Sequence, residues 1–259
     1  MEKSKPDRRD FIRLSGLALG GLSLAPVAAA AGLPKGQAID KKLTIVCLGA
    51  HPGDPEFGCG GTMARYSDAG HKVIFLYITR GEASDPKKTY AEMAAARTKE
   101  AENACNILNT TPAFFGQVDG NTVLDKEQNA KIIAQLTSLS PDIVFTQWPV
   151  DGHPDHQVTG MLGLTAWIRS NRHFHLYFYE VNTGVETMAF VPTDYVDITA
   201  YRDKKKAAMF SHQTQDPVNT YNDYFKPLEE FRGLEAGVKA AEAFIYFKPG
   251  DENGKITGL

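Results

Sequence analysis

The chain has 259 residues, 42% of them hydrophobic and 23% charged, and a formal net charge of −3. This is the profile of an ordinary globular protein with one sizeable core, and it excludes a disordered or low-complexity chain. The mildly acidic balance gives no reason to expect nucleic acid or an anionic membrane as a partner.

The first 31 residues differ in kind from the rest. Arg8-Arg9-Asp10-Phe11-Ile12 opens a basic stretch, and Leu14 to Ala31 then runs apolar, Gly/Ala-rich and uncharged. That order is the order of an export signal ending in a small-residue cleavage site. The paired arginines followed by Phe11 and Ile12 resemble the twin-arginine type, so the mature protein is expected to be periplasmic or secreted. Gly16, Gly20, Gly21 and Pro26 dilute the apolar stretch, which favours cleavage over a membrane anchor. Removing its five basic and three acidic side chains takes the charge from −3 to about −5. Residues 32–259 are then expected to form a single α/β catalytic domain.

Leu43 to Leu48 is a continuous apolar run bounded by Lys42 and Gly49, as expected for a buried parallel strand. Gly58 to Ala69 reads as a helix stopped by Gly70, and Lys72 to Thr79 as the next strand, which makes a βαβ unit. Thr89 to Leu108, rich in Ala, Glu, Lys and Arg, predicts a long helix, and Ala113 to Phe115 a short strand. Glu127 to Leu139 predicts a helix, Pro141 to Thr146 a strand, and Gln157 to Arg169 a further helix. Beyond these, His175 to Val181 and Tyr195 to Ile198 read as strands, Tyr201 to Phe210 as a helix, and Ala240 to Phe247 as a closing helix or strand. Thr214 to Gly233, rich in Asp, Asn, Pro and Tyr, lacks clear periodicity and is expected to be an ordered loop over the site. The alternation predicts a Rossmann-like open, mostly parallel sheet with helices on both faces.

Two short segments carry the chemistry: Ala50-His51-Pro52-Gly53-Asp54-Pro55-Glu56 and His153-Pro154-Asp155-His156. Each follows a strand. In open α/β sheets the ligand crevice lies beyond the strands' carboxyl ends, so the two segments can converge despite their separation. Either alone is consistent with turn chemistry; together they supply the nitrogen and oxygen ligands that zinc prefers. A catalytic zinc takes three protein ligands and keeps a position for water, whose pKa it lowers to about 7. His51, Asp54 and His156 supply such a set, and iron, cobalt or nickel would accept the same ligands. His153 and Asp155 are left for catalysis: an imidazolium that stabilises an oxyanion or protonates a leaving amine, and a carboxylate that holds its tautomer. Cys47, Cys59 and Cys105 read as buried free thiols, with Cys59 a weaker candidate ligand.

With these motifs the chain resembles the PIG-L or LmbE-like family of zinc-dependent deacetylases, which remove acyl groups from N-acetylglucosamine-type sugars and related amides. The first segment is similar to the family's Ala-His-Pro-Asp-Asp-Glu type signature, and His153-Pro154-Asp155-His156 to its second. The resemblance implies His51, Asp54 and His156 as zinc ligands, and His153, supported by Asp155, as the group that stabilises the tetrahedral intermediate. It implies that Arg97, in the Arg-x-x-Glu helix segment ending at Glu100, lies on the substrate side of the site. His212, in Phe210-Ser211-His212-Gln213, is similar to a family segment near the pocket.

One position departs from the pattern. Gly53 stands where the family has the Asp that serves as general base, and glycine cannot accept a proton. Such a base contributes about 10²- to 10⁴-fold. Glu56, Asp151 and Asp155 are the candidates to replace it, and Trp148, Tyr221, Tyr224 and Phe225 are candidate faces for a sugar ring. The expected function is a metal-dependent amide hydrolase, an N-deacetylase of an N-acetylglucosamine-type sugar or glycoconjugate acting through zinc-activated water. The rival is a metal-containing carbohydrate-binding protein with weakened or no turnover.

Overall fold

The computed structural model describes residues 41–248, so the expected signal at residues 1–31 lies outside them. Seven strands form one sheet: β1 (Thr44–Gly49), β2 (Lys72–Tyr77), β3 (Thr111–Phe114), β4 (Ile143–Gln147), β5 (His175–Tyr179), β6 (Asp194–Asp197) and β7 (Ala241–Phe247). Their order is β3-β2-β1-β4-β5-β7-β6, with the first five parallel and β7 antiparallel to both neighbours. The expected mostly parallel sheet is present. Its order reverses between β1 and β4, which is where such a sheet opens a crevice.

The first five helices in chain order are α1 (Asp54–Asp68), α2 (Tyr90–Leu108), α3 (Lys126–Leu139), α4 (Pro154–Arg169) and α5 (Arg202–Met209). Successive strand residues point to opposite faces, and the core divides accordingly. Ile45 and Cys47 of β1 pack with Met63, Ala101, Cys105 and Met209 on the α1, α2 and α5 side. Val46 and Leu48 pack with Ile132, Leu136, Leu162 and Trp167 on the α3 and α4 side. Pro112 is tolerated in β3 because that strand lies at the sheet edge, where a missing N–H costs no ladder bond.

Two helices begin earlier than the sequence pattern suggests. α1 starts at Asp54 and α4 at Pro154, so each motif forms the first turn of a helix. Pro55 and Pro154 sit in those first turns, where the absent N–H has no helical partner to lose. α1 breaks at Cys59 (φ −144°), and the Glu242 carboxylate from β7 accepts the freed N–H groups of Gly61 (2.9 Å) and Thr62 (2.7 Å). Glu242 in turn pairs with the buried Lys205 of α5 at 2.8 Å.

The segment expected to be a loop, Thr214 to Gly233, is helical. A 3₁₀ turn (Gln213–Gln215) leads into α6 (Pro217–Thr220), a π-turn (Tyr221–Phe225) and α7 (Lys226–Ala236). Prolines in two first turns and the wider π spacing break the 3.6-residue pattern that would have revealed it. The closing segment, left open between helix and strand, is the strand β7. Among the described residues no helix is long and apolar enough to cross a membrane.

Candidate metal centre

The loop leaving β1 folds back on itself. The His51 N–H donates to Asp54 Oδ2 at 2.8 Å, and the Asp54 N–H donates to the His51 carbonyl at 3.2 Å. Gln147, the last residue of β4, accepts from the Ala50 N–H at 2.9 Å and donates to Asp54 Oδ2 at 3.2 Å. The strand beside β1 therefore fixes the loop and aims its carboxylate. His156, from the first turn of α4, completes the group: Asp54 Oδ2 lies 3.4 Å from His51 Nδ1 and 3.5 Å from His156 Nε2. Candidate ligand atoms of His51, Asp54 and His156 all lie within 4.8 Å of one another, and all three residues are buried.

The far nitrogen of each ring meets a carboxylate. His51 Nε2 lies 3.1 Å from Asp119 and 3.1 Å from Asp155, and His156 Nδ1 lies 3.2 Å from Asp151. A carboxylate accepts, so the nitrogen facing Asp119, Asp155 or Asp151 keeps its proton, and the one turned toward Asp54 is the one that would be bare once the ring is neutral. This is the backing that orients metal-binding histidines and raises their basicity. A second grouping, His51 with His153 and Asp155, also falls within ligand distance. Its His153 is only half-buried, whereas all three members of the first trio are buried, so the first trio is the more enclosed site.

The electrostatics agree with a cation. Burial opposes charge on His51, but Asp54, Asp119 and Asp155 outweigh it and hold its pKa well above the ordinary value. The same contest, with Asp54 and Asp151 prevailing, raises that of His156. Asp54, despite its burial, is held far below the usual carboxylate range by the two imidazoles. Four carboxylates against two imidazoles leave net negative charge in a buried place, a costly state unless a positive ion compensates it. The donor set thus fits a divalent cation.

His153 lines the cleft in front of the trio. Its Nδ1 accepts from the backbone N–H of Asp155 at 3.2 Å. A backbone N–H can only donate, so the neutral ring carries its proton on Nε2. Burial, together with the neighbouring His51 and His156, lowers its pKa, which favours the neutral ring over the expected imidazolium. The pairing with Asp155 also differs from expectation. That carboxylate turns to His51, and only the Asp155 backbone reaches His153.

The three carboxylates expected to replace a base at Gly53 are all engaged elsewhere. Glu56 is fully buried, accepting from Tyr77 Oη at 2.7 Å and lying 3.1 Å from His212 Nε2. Asp151 is held by His156, the His153 N–H and Thr187 Oγ1, and Asp155 by His51, Thr122 and Gly120. None of the three lines the cleft. His212 does not line it either, because it is packed edge-on behind Phe57 with no exposed surface.

Arg97 lines the cleft. It also braces the site: Nη2 donates to the Pro52 carbonyl at 2.6 Å and Nη1 to that of Gly81 at 3.4 Å. Gly81 must lack a side chain, since it has positive φ and a Cβ there would collide with the guanidinium. Glu100 accepts from the N–H and Oγ1 of Thr214, tying α2 to the turn after α5.

The three cysteines are free and buried, with Cys47 and Cys59 Sγ 3.2 Å apart, and none joins the candidate site. The aromatic face in the cleft is Phe57; Tyr221 and Phe225 are core residues. Sequence reasoning missed Asp119, Gln147 and Glu186. Asp119 follows β3 and obeys the same crevice rule as the two motifs, but Asp119-Gly120-Asn121 looks like an ordinary turn. Gln147 was visible as the one amide closing an apolar strand.

The cleft measures about 340 Å³, within the range of small-molecule sites. Residues 46–167, which contain both motifs, match the family model described as PIG-L, GlcNAc-PI de-N-acetylase. The diacetylchitobiose deacetylase of Thermococcus kodakarensis is 27% identical over 225 residues, spanning 80% of this chain and 83% of that one. Among solved structures, a conserved protein from Thermus thermophilus matches with a TM-score of 0.69 at 29% identity, over 80% of this chain and 95% of that one. The N,N'-diacetylchitobiose deacetylase from Pyrococcus horikoshii matches with a TM-score of 0.72 over 95% of each chain; at 22% identity this is a likeness of fold.

Proposed function

We propose that this chain, which belongs to the PIG-L family through the domain at residues 46–167, is a metal-dependent deacetylase of N-acetylglucosamine-type sugars or glycoconjugates. The observation that carries the reading is the convergence of His51, Asp54 and His156 at one end of a cleft, each imidazole backed by a carboxylate. The deacetylase named among its relatives, acting on diacetylchitobiose, supports the substrate class.

His51, Asp54 and His156 would hold the ion, with zinc the metal that this donor set suits best. When bound there, a divalent cation lowers the pKa of water and polarises an acyl oxygen. Asp119, Asp151 and Asp155 hold the two rings so that the nitrogens turned toward Asp54 would be the ones offered to an ion. His153 Nε2–H donates to the acyl oxygen as it gains negative charge, a contact that a neutral imidazole makes without first needing a proton. Phe57 offers an apolar face to the sugar, and Arg97 a cationic edge to its oxygens. Full-length protein stripped and reloaded with zinc should release acetate from N-acetylglucosamine oligomers, lose this activity to a chelator and regain it with zinc. No acetate from a panel of N-acetyl sugars at full zinc occupancy would sink the reading. Sugar binding under those conditions would leave the non-turnover rival standing.

The amino-terminal pattern supports export of residues 32–259 as the catalytic domain, without a lasting anchor. Replacing Arg8 and Arg9 together by lysine should keep the protein in the cytoplasm, as read by cell fractionation. Fractionation identical to the unmodified chain would remove the twin-arginine assignment.

A further inference from the structure

The site described above lacks a proton acceptor, and the cleft supplies one that the motifs do not contain. Three carboxylates line it: Asp54, Asp119 and Glu186. Asp54 belongs to the metal trio. Asp119 is pinned between His51 Nε2 at 3.1 Å and the Ala83 N–H at 3.0 Å. Glu186 is held differently: its Oε2 accepts from a neutral amide, Asn182 Nδ2, at 3.0 Å, and among the described residues no cationic side chain forms an ion pair with it. Its backbone is fixed to the second motif's loop. The Glu186 carbonyl accepts the Gly152 N–H at 2.9 Å, and the next residue, Thr187, donates its hydroxyl to Asp151 Oδ2 at 2.8 Å.

We propose that Glu186 accepts the proton of the attacking water, in place of the carboxylate that Gly53 cannot provide. The inference rests on the deacetylase reading above. The water oxygen bonds to the acyl carbon while its proton passes to the Glu186 carboxylate. The C–N bond then breaks and the proton leaves on the amine nitrogen, giving acetate and a free amine. A further property suits the task. Burial, with Asp54 and Asp151 nearby, lifts the Glu186 pKa above the ordinary glutamate value against the opposing pull of His156. A base is most effective when its pKa approaches the working pH. Asp119 is shifted the other way by His51, which makes it the weaker acceptor.

The test combines activity with a readout that does not need turnover. In zinc-loaded full-length protein, Glu186→Gln should lower kcat by about 100-fold or more while zinc content stays at one ion per chain. It should also remove the acidic limb of the kcat–pH profile, and Glu186→Asp should retain more activity than Glu186→Gln. In protein carrying carbon-13 glutamate, the carboxyl resonance missing from Glu186→Gln should titrate above the other glutamates in the metal-free state and move to lower pH on zinc loading. Activity of Glu186→Gln within threefold of the unmodified enzyme, or a titration indifferent to zinc, overturns the proposal and leaves the deacetylase reading intact. Loss of zinc from Glu186→Gln also overturns it, by making Glu186 a support of the metal site. An unmodified, fully loaded enzyme that releases no acetate overturns the deacetylase reading itself, and this proposal with it.

Discussion

Asp155 turns its carboxylate away from its neighbour His153 and onto His51, 104 positions earlier in the chain, at 3.1 Å. The contact crosses from the end of β4 to the end of β1, and under the proposed metal site it makes Asp155 a residue that orients a ligand. Its removal should therefore show in metal affinity. Asp155→Asn should weaken zinc binding roughly 10- to 100-fold in competition with a chromophoric chelator, as is typical for a carboxylate behind a metal-binding histidine. Unchanged affinity with a collapsed kcat would restore Asp155 to direct catalysis.

His153 predicts the opposite pattern. It touches the cleft but holds none of the three preferred ligand positions, so His153→Ala should retain full zinc content. Its kcat should fall by about 10²- to 10³-fold, the usual loss for one oxyanion donor. A parallel loss of zinc would make it a ligand after all.

Metal-free protein should lose stability as pH rises through neutrality. His51 and His156 have folded pKa values raised above the unfolded value of about 6.5. Their contribution is complete below that pH and is lost as pH climbs through the folded values. His153, with a lowered pKa, works in the reverse sense, but it is one group against two. The carboxylates set the acid side: Asp54 and Asp155 are depressed, so their contribution is lost on acidification below their unfolded values. A thermal melt series in chelator should therefore show Tm falling between pH 6 and pH 9, with zinc abolishing the fall because the ion replaces the protons. A Tm that rises over that range without metal would contradict the arrangement of charges.

Gly53→Asp should not simply restore a missing base. Gly53 has φ 113°, where side chains rarely sit, and a Cβ built there points toward Phe57 and His212. A strained residue of this kind costs about 1–3 kcal/mol, visible as a lower denaturation midpoint. A gain in kcat without loss of stability would show that the loop readjusts and presents the new carboxylate to the cleft.

The sequence by itself determined most of the sheet, the two motifs and their placement, because continuous apolar runs bounded by turn residues and helices of period 3.6 are local patterns that each residue reports directly. Leu43 to Leu48 could only be a buried strand, and His51, Asp54 and His156 follow from ligand chemistry at the carboxyl ends of β1 and β4. Only the tertiary structure decided which partner each polar group takes. Glu56 and His212 look like site residues and pair with each other in the interior through Oε1 and Nε2, while Asp119 and Glu186, unremarkable in the chain, reach the cleft. The physical reason is that a carboxylate's role depends on what lies within about 3 Å of it, and those neighbours come from strands and loops brought together by the fold.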